Sequence, residues 1–299
     1  MHSKHLIVIG GATATGKTAF AIRAALHFQT EILSSDSRQF YKEMNIGTAK
    51  PTEEELAAAP HHFISHLSIH QPYSVGDFER EALACLHQIF ETRDVAVMTG
   101  GSGLYIKAVC EGLNSFPEVP ESIRAEVQNM YDLKGIAALQ DELKQADPDY
   151  FAEVDTNNPA RLLRAVAVCR AAGRPFSSFR NQPLEPRSFQ PVYVQLDWPR
   201  AALYERIDQR VTQMMELGLE DEARDLYPHR HLQALQTVGY QELFDYFDNK
   251  TNLDEAVQLI RQHSRNYAKR QLTWFRRDGF WRVFHPAQWE DLLHFVDGL

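Results

Sequence analysis

The sequence predicts an α/β fold: a parallel sheet core flanked by helices and carrying an all-helical insertion domain. Three observations carry that expectation. Two strand–glycine–helix units, around 6–18 and 94–105, set glycine-rich turns directly after buried apolar strands. From 117 to about 173 only helical spacing occurs. Strand pattern then returns at 192–197, so the helical run is bracketed by sheet segments. The expected division is 1–114 for the first part of the core, 115–185 for the insert and 186–299 for the rest of the core.

The first unit is the most informative. Leu6, Ile7, Val8 and Ile9 read as a buried strand. Gly11, Ala12, Thr13, Ala14, Thr15, Gly16, Lys17 and Thr18 then fit G-x-x-x-x-G-K-[ST], a phosphate-binding loop, which makes the core P-loop NTPase-like. The glycines let backbone N–H groups curl around phosphate oxygens, and the following helix aims its positive end at them. Lys17 reaches the terminal phosphate as a point charge, and Thr18 holds Mg²⁺ through its hydroxyl. A plain glycine-rich turn is the alternative, but the strand before and the apolar helix after supply the context the motif needs. The loop does not say whose phosphates it holds.

The elements follow in order. Residues 19–28 are alanine-rich with helical spacing, and 31–36 form a short strand with Asp36 at its carboxyl end, the edge where open α/β sheets bind ligands. Asp36 either caps a helix starting near Ser37 or presents a carboxylate to the bound phosphate donor. A short acidic helix is expected at 52–58. His61, His62, His66 and His70 invite a metal reading, but no Cys or second ligand pair accompanies them, and a strand edge leading into a loop is favoured. A helix begun by Ser74 or Asp77 runs to Phe90. In the second unit, Gly100, Gly101 and Gly103 allow either a close ligand approach or a tight turn with positive φ. Helices are expected at 120–132, 135–146, 148–154 and 159–172, with proline at first helical positions after Asp147 and Asn158. A helix over 199–218 carries Arg206 and Arg210 on one face, with Glu205 or Asp208 as ordinary partners. Asp197, ending the preceding strand, serves either as a Walker B carboxylate or as a cap. A long helix at 253–275 and a strand at 280–284 close the chain.

Composition excludes less than distribution suggests. The net charge of −9 argues against nucleic acid. Yet 156–180 and 260–277 contain eleven basic residues and no acid, with Tyr267, Trp274 and Phe275 interleaved in the second. Two segregated basic helices in an acidic chain suit a polyanion and stacking on unpaired bases. No stretch is apolar and long enough to span a bilayer, the start of the chain shows no secretory signal, and three scattered cysteines suit a reducing cytoplasm.

Taken together, several stretches resemble the tRNA dimethylallyltransferase (tRNA isopentenyltransferase) family of bacterial type. They are the loop 11–18; Ser35-Asp-Ser-Arg-Gln-Phe-Tyr41 with Met44-Asn-Ile-Gly-Thr-Ala-Lys-Pro51; Pro60-His-His62; Gly100-Gly-Ser-Gly-Leu-Tyr105; Asn158-Pro-Ala-Arg-Leu-Leu-Arg164; Arg206-Ile-Asp-Gln-Arg210; Val238-Gly-Tyr240; and Lys269-Arg-Gln-Leu-Thr-Trp-Phe-Arg276. They run in family order. Ala12 and Thr15 depart from the usual loop residues, Ser102 replaces a common threonine, and Ser65 stands where aspartate is frequent. The chain stops soon after its last strand, without the zinc-finger extension of eukaryotic members.

The resemblance implies transfer of a dimethylallyl group from its diphosphate to N6 of adenine 37 of tRNA, with Mg²⁺ as cofactor. It implies catalytic roles for Asp36, Lys17, Thr18 and Arg210, with Asp36 taking a proton or hydrogen bond from the amine and Arg210 reaching the diphosphate. It implies that Asp36, Ser37, Arg38, Gln39, Ser102, Arg124, Ala160, Arg161, Leu162, Leu163, Arg164 and the segment Gln236, Thr237, Val238, Gly239, Tyr240, Gln241 hold the anticodon stem-loop. A cytoplasmic monomer is expected. The competing readings are a P-loop kinase, with ATP in the loop, and an isopentenyltransferase acting on free adenine nucleotide.

Overall fold

The computed structural model describes residues 3–180, 182–277 and 279–298. Two compact units divide it: Met1–Glu111 with Arg187–Leu299, and Gly112–Pro186. The insert is therefore slightly wider than the expected 115–185.

In the first unit β1 (His5–Gly11) is followed by α1 (Lys17–Phe28), β2 (Ile32–Ser34), α2 (Glu53–Ala58), β3 (His61–His62), α3 (Val75–Thr92), β4 (Val95–Gly100) and α4 (Gly103–Glu111). After α5 (Glu121–Lys134), α6 (Ile136–Ala146), α7 (Pro148–Glu153) and α8 (Pro159–Ala172) of the insert come β5 (Gln190–Leu196), α9 (Arg200–Glu216), α10 (Leu219–Leu226), α11 (Tyr240–Phe247), α12 (Leu253–Arg277), β6 (Arg282–Phe284) and α13 (Trp289–Asp297). The strands form one sheet in the order β3-β2-β4-β1-β5-β6, and every pairing is parallel. Parallel neighbours need crossover connections, which the helices supply while covering both faces. That is why Leu6 to Ile9 are apolar without alternation: Ile7 and Ile9 pack with α1 and α13, while Leu6 and Val8 pack with α3 and α4.

One register fact places the site. Gly10 of β1 lies beside Gly100 of β4, and Gly11 lies beside Leu196 of β5. The two glycine turns and the end of β5 therefore emerge side by side at the carboxyl edge.

Local chemistry explains the helix starts. Thr52 with Glu55, and Ser74 with Asp77, form complete capping boxes for α2 and α3. Within the insert, Leu139, Leu143, Leu162 and Val166 make a fully buried core. Asp147, 1% exposed, accepts from the Tyr150 N–H at 3.0 Å as the cap of α7 and from the Ser177 N–H at 2.6 Å.

Several elements differ from expectation. Residues 37–40 form turns instead of a helix, because the Asp36 Oδ1 accepts from the Arg38 N–H at 3.1 Å, closing a local side-chain turn. Three helices, α10, α11 and α13, were not among the expected elements. Trp289, Leu292 and Val296 of α13 carry the i, i+3, i+7 spacing that marks it, and they complete the core beside α1. Among the described residues no helix is long and apolar enough to cross a membrane.

Candidate active site

A cavity of about 530 Å³ opens at the carboxyl edge of the sheet in the first unit, lined among others by Gly16, Lys17, Thr18, Asp36, Arg210 and Tyr267. The glycine loop forms one wall. Gly11 and Gly16 have φ of 146° and 90°, values that side chains disfavour, so here glycine is needed for backbone shape. Ala14 has φ of 64° without that freedom, a strain of about 1–2 kcal/mol. The Thr15 hydroxyl donates to the Ala12 carbonyl at 2.8 Å, and Lys17 Nζ donates to the same carbonyl at 2.7 Å. Burial lowers the Lys17 pKa to about 8; the Asp36 carboxylate pulls it up and Arg210 pushes it further down. An ammonium held this way is short of counter-charge, which an anionic ligand supplies.

Asp36 follows β2, and Ser37, Arg38 and Gln39 line the cavity with it. The Ser37 N–H donates to the Ser102 hydroxyl at 3.2 Å, joining this segment to the second glycine turn. Arg38 donates to the carbonyls of Gln233 and Ala234 at 3.2 and 3.0 Å. Gln39 is buried and donates to the carbonyls of Thr48 and Ala49 at 3.3 and 3.2 Å. Glu222 holds the neighbouring wall by accepting from the N–H groups of Asn45, Ile46 and Gly47 at 2.8–2.9 Å and from the Tyr240 hydroxyl at 2.7 Å.

The two arginines of α9 are used differently. Arg210 lines the cavity; burial lowers its pKa and Asp36 opposes that shift, so these charges lie close enough to act on each other. Arg206 Nε donates to the Ala14 carbonyl at 2.9 Å, and its guanidinium lies 4.6 Å from the Trp198 ring centroid. Asp208, expected as a local partner, pairs with Arg265 at 2.6 Å. Asp197 is neither a Walker B carboxylate nor a helix cap. It is outside the cavity lining, accepts from the Trp198 N–H at 2.9 Å and from Arg276 at 3.0 Å, and α9 begins after Pro199 with no side-chain cap.

Gln271 of α12, whose role the sequence did not signal, joins both turns. Its Oε1 accepts from the Thr13 N–H at 2.8 Å and its Nε2 donates to the Gly101 carbonyl at 3.0 Å. A Cβ on Gly101 would collide with Gln271, one on Gly103 with Trp274, and one on Gly100 with Ser35, and none of the three has positive φ. A turn with positive φ is therefore not what these glycines serve; Gly100 also lines the cavity, and all three sit where the protein packs closely on the turn. The Gly100–Gly103 turn and the Gln271/Trp274 pair are two halves of one packed contact.

Gln236, Thr237, Val238, Gly239 and Gln241 line the cavity, whereas the Tyr240 side chain is fully buried. In the insert Arg124, Ala160, Arg161 and Arg164 are exposed, Leu163 is half-buried and Leu162 is fully buried in the insert's core. The acid-free helices have acids supplied by neighbours: Arg170 pairs with Glu142 and Arg180 with Glu153. Arg164 instead lies 5.1 Å from the Phe116 ring centroid. The four histidines go to separate partners. His61 meets the Ala59 carbonyl and His62 meets Glu31, while His66 sits among Phe40, Phe63 and Tyr73 and His70 lies against His229.

Among the described residues no group of three or more His, Cys, Asp or Glu could hold a metal by itself. Thr18, beside Lys17 on the cavity wall, suits Mg²⁺ as a single protein ligand, with phosphate oxygens and water supplying the rest, the usual way this ion is held.

A family model described as IPP transferase matches residues 39–278. A tRNA dimethylallyltransferase of Christiangramia forsetii is 52% identical over 92% of this chain and 91% of its own length. A crystal structure of a full-length tRNA isopentenylpyrophosphate transferase from Bacillus halodurans is 35% identical with a TM-score of 0.74, covering 99% of this chain and 96% of that one. A eukaryotic dimethylallyltransferase described as acting on tRNA shares the fold, with a TM-score of 0.83 at 24% identity, over 96% of this chain and 76% of that one.

Proposed function

The chain belongs to the IPP transferase family, and on that premise we propose that it transfers the dimethylallyl group from dimethylallyl diphosphate to N6 of adenine 37 in tRNA, releasing diphosphate. It is a tRNA-modifying prenyltransferase, and neither kinase chemistry nor a free-nucleotide acceptor is favoured. One observation carries the finer reading: a single cavity collects the glycine loop with Lys17 and Thr18, the Asp36 carboxylate and Arg210.

The donor's diphosphate sits on the loop, where backbone N–H groups, Lys17 and Arg210 meet charge that grows as the allylic C–O bond breaks. Lys17 exchanges the Ala12 carbonyl for a phosphate oxygen. Thr18 would hold Mg²⁺ through its hydroxyl, and the ion would add to the neutralisation of that charge when bound. The adenine leaves its stack to enter the cavity. Its amine is a weak nucleophile, so Asp36 orients it and accepts the proton lost as the C–N bond forms. Ser37, Gln236, Thr237, Val238, Gly239 and Gln241 frame the base from the core. Arg124, Arg161 and Arg164, with Ala160 and Leu163, engage the stem-loop from the insert, where Leu162 anchors their helix in the insert's core; in the other unit Ser102, Arg38, Gln39 and Tyr240 support the cavity wall through the contacts described above. The enzyme works as a cytoplasmic monomer.

The test is incubation with labelled dimethylallyl diphosphate and Mg²⁺, offering tRNA, AMP and ATP in parallel. Label in tRNA alone is expected; label in the free nucleotide alone, or ATP consumption without prenyl transfer, would overturn the reading. Asp36→Ala is expected to lower turnover at least about a hundredfold while tRNA still binds, and loss of tRNA binding would make Asp36 a docking residue instead.

A further inference from the structure

Three consecutive residues of the glycine loop are each held by a side chain from outside it. Gln271 Oε1 accepts from the Thr13 N–H at 2.8 Å, Arg206 Nε donates to the Ala14 carbonyl at 2.9 Å, and Trp198 Nε1 donates to the Thr15 carbonyl at 3.1 Å. The middle residue, Ala14, is the one with left-handed backbone at φ 64°. Such a residue persists only where its surroundings over-determine it. The holders are themselves fixed: Gln271 is buried and donates to the Gly101 carbonyl, and Arg206 lies over the Trp198 ring. The loop's own side-chain bonds both end on the Ala12 carbonyl and leave Ala14 unsecured.

We infer that Gln271, Arg206 and Trp198 are positioning residues that hold the loop in its strained, anion-receiving shape before a ligand arrives, an inference that rests on the loop being the diphosphate site. Each acts through the backbone of the loop. A loop already in its bound shape spends none of the ligand's binding free energy on ordering. The clamp also explains why α9 carries two arginines one turn apart: Arg210 is left for the cavity because Arg206 is committed to Ala14.

Titration calorimetry of inorganic pyrophosphate with Mg²⁺ against the whole protein tests this. Gln271→Leu and Arg206→Met are each expected to weaken pyrophosphate about tenfold and to raise the donor KM by a similar factor, with kcat within about threefold and tRNA affinity unchanged. In an Ala14→Gly background, Gln271→Leu is expected to cost only about threefold, because glycine keeps the left-handed shape unaided. Pyrophosphate affinity within about twofold of the unaltered protein in both variants, or an equal loss in both backgrounds, would overturn the clamp. Should Gln271→Leu fail to fold, Arg206→Met and Trp198→Phe carry the same expectation. Failure of the unaltered protein to bind pyrophosphate would overturn the diphosphate reading itself, a result separate from failure of the clamp.

Discussion

The protein carries two strand–glycine–helix turns on neighbouring parallel strands, and their glycines are needed for different reasons: positive φ at Gly11 and Gly16, with close packing on the Leu196 carbonyl added at Gly11, and close packing alone in the second turn. In the turn after β1, Gly11 and Gly16 supply backbone angles that other residues avoid, and a Cβ on Gly16 would meet no atom within 4 Å. In the turn after β4, backbone angles are ordinary, and Gly100, Gly101 and Gly103 are needed because Ser35, Gln271 and Trp274 occupy the space of a side chain. Gly16 is required by backbone shape alone, whereas in the second turn the protein itself takes the space of a side chain. Glycine content alone therefore does not tell the two reasons apart.

Substitutions sharpen that contrast, beginning with the first turn. Lys17→Ala is expected to lower turnover about a thousandfold, the scale of removing one charge-stabilising donor from a closed site, while thermal stability holds or rises because a buried charge is gone. Steady-state turnover beside a melting curve checks both halves. In the second turn the balance reverses. Gly101→Ala forces a methyl group onto the Gln271 amide and is expected to cost about 1–3 kcal/mol of stability by denaturant titration. Gly16→Ala costs about 1 kcal/mol through its left-handed backbone alone, so its main effect falls on pyrophosphate affinity. If Gly16→Ala proves the more destabilising of the two, the contrast fails.

A smaller effect comes from protons. The Lys17 pKa is about 8 in the free protein, below its ordinary 10.5. Below pH 8 the buried charge costs stability, and stability recovers between pH 8 and 10.5, where the folded protein gives up a proton that the unfolded chain keeps. Bound diphosphate favours the charged form. After correction for the protons that pyrophosphate itself exchanges, binding is therefore expected to take up little proton at Lys17 at pH 7 and a substantial fraction of one at pH 9, with affinity for each pyrophosphate ionic form falling as pH rises through that window. Calorimetry in buffers of different ionisation enthalpy reads this directly. Melting curves do not isolate it, because Lys50 is also lowered to about 8 by burial. The smallest effect belongs to the insert: Arg164→Ala should weaken tRNA modestly and reduce the slope of log affinity against log salt by about one, and an unchanged slope would remove Arg164 from the phosphate contacts.

The sheet and the loop were legible because their signals are local. An unbroken apolar run, a glycine spacing and a capping Ser or Thr depend on neighbours in sequence, and β1, α1, α2 and α3 lie close to where those signals put them. Side-chain partners were not legible. The absence of acids from 260–277 says nothing about Asp208 and Asp197, which arrive from α9 and the end of β5 to pair with Arg265 and Arg276. By spacing alone Arg206 and Arg210 look alike; the resemblance singles out Arg210, and only the position of the Ala14 carbonyl shows what Arg206 does. Asp197 was drawn to Arg276 for the same reason: which acid meets which base is decided by packing of distant elements. Gln271 belongs to a stretch that carries the resemblance, but nothing local says that a polar residue in a helix reaches both glycine turns.

The bond from Lys17 to the Ala12 carbonyl bears on the end of the catalytic cycle. Diphosphate is a highly charged product, and a site built to grip it risks never letting go. When it departs, the ammonium does not stand bare in a partly buried cavity, because an oxygen of its own loop is waiting within reach. That carbonyl is an internal competitor present at unit stoichiometry with every turnover. On the proposed diphosphate reading, it trims the net affinity for product.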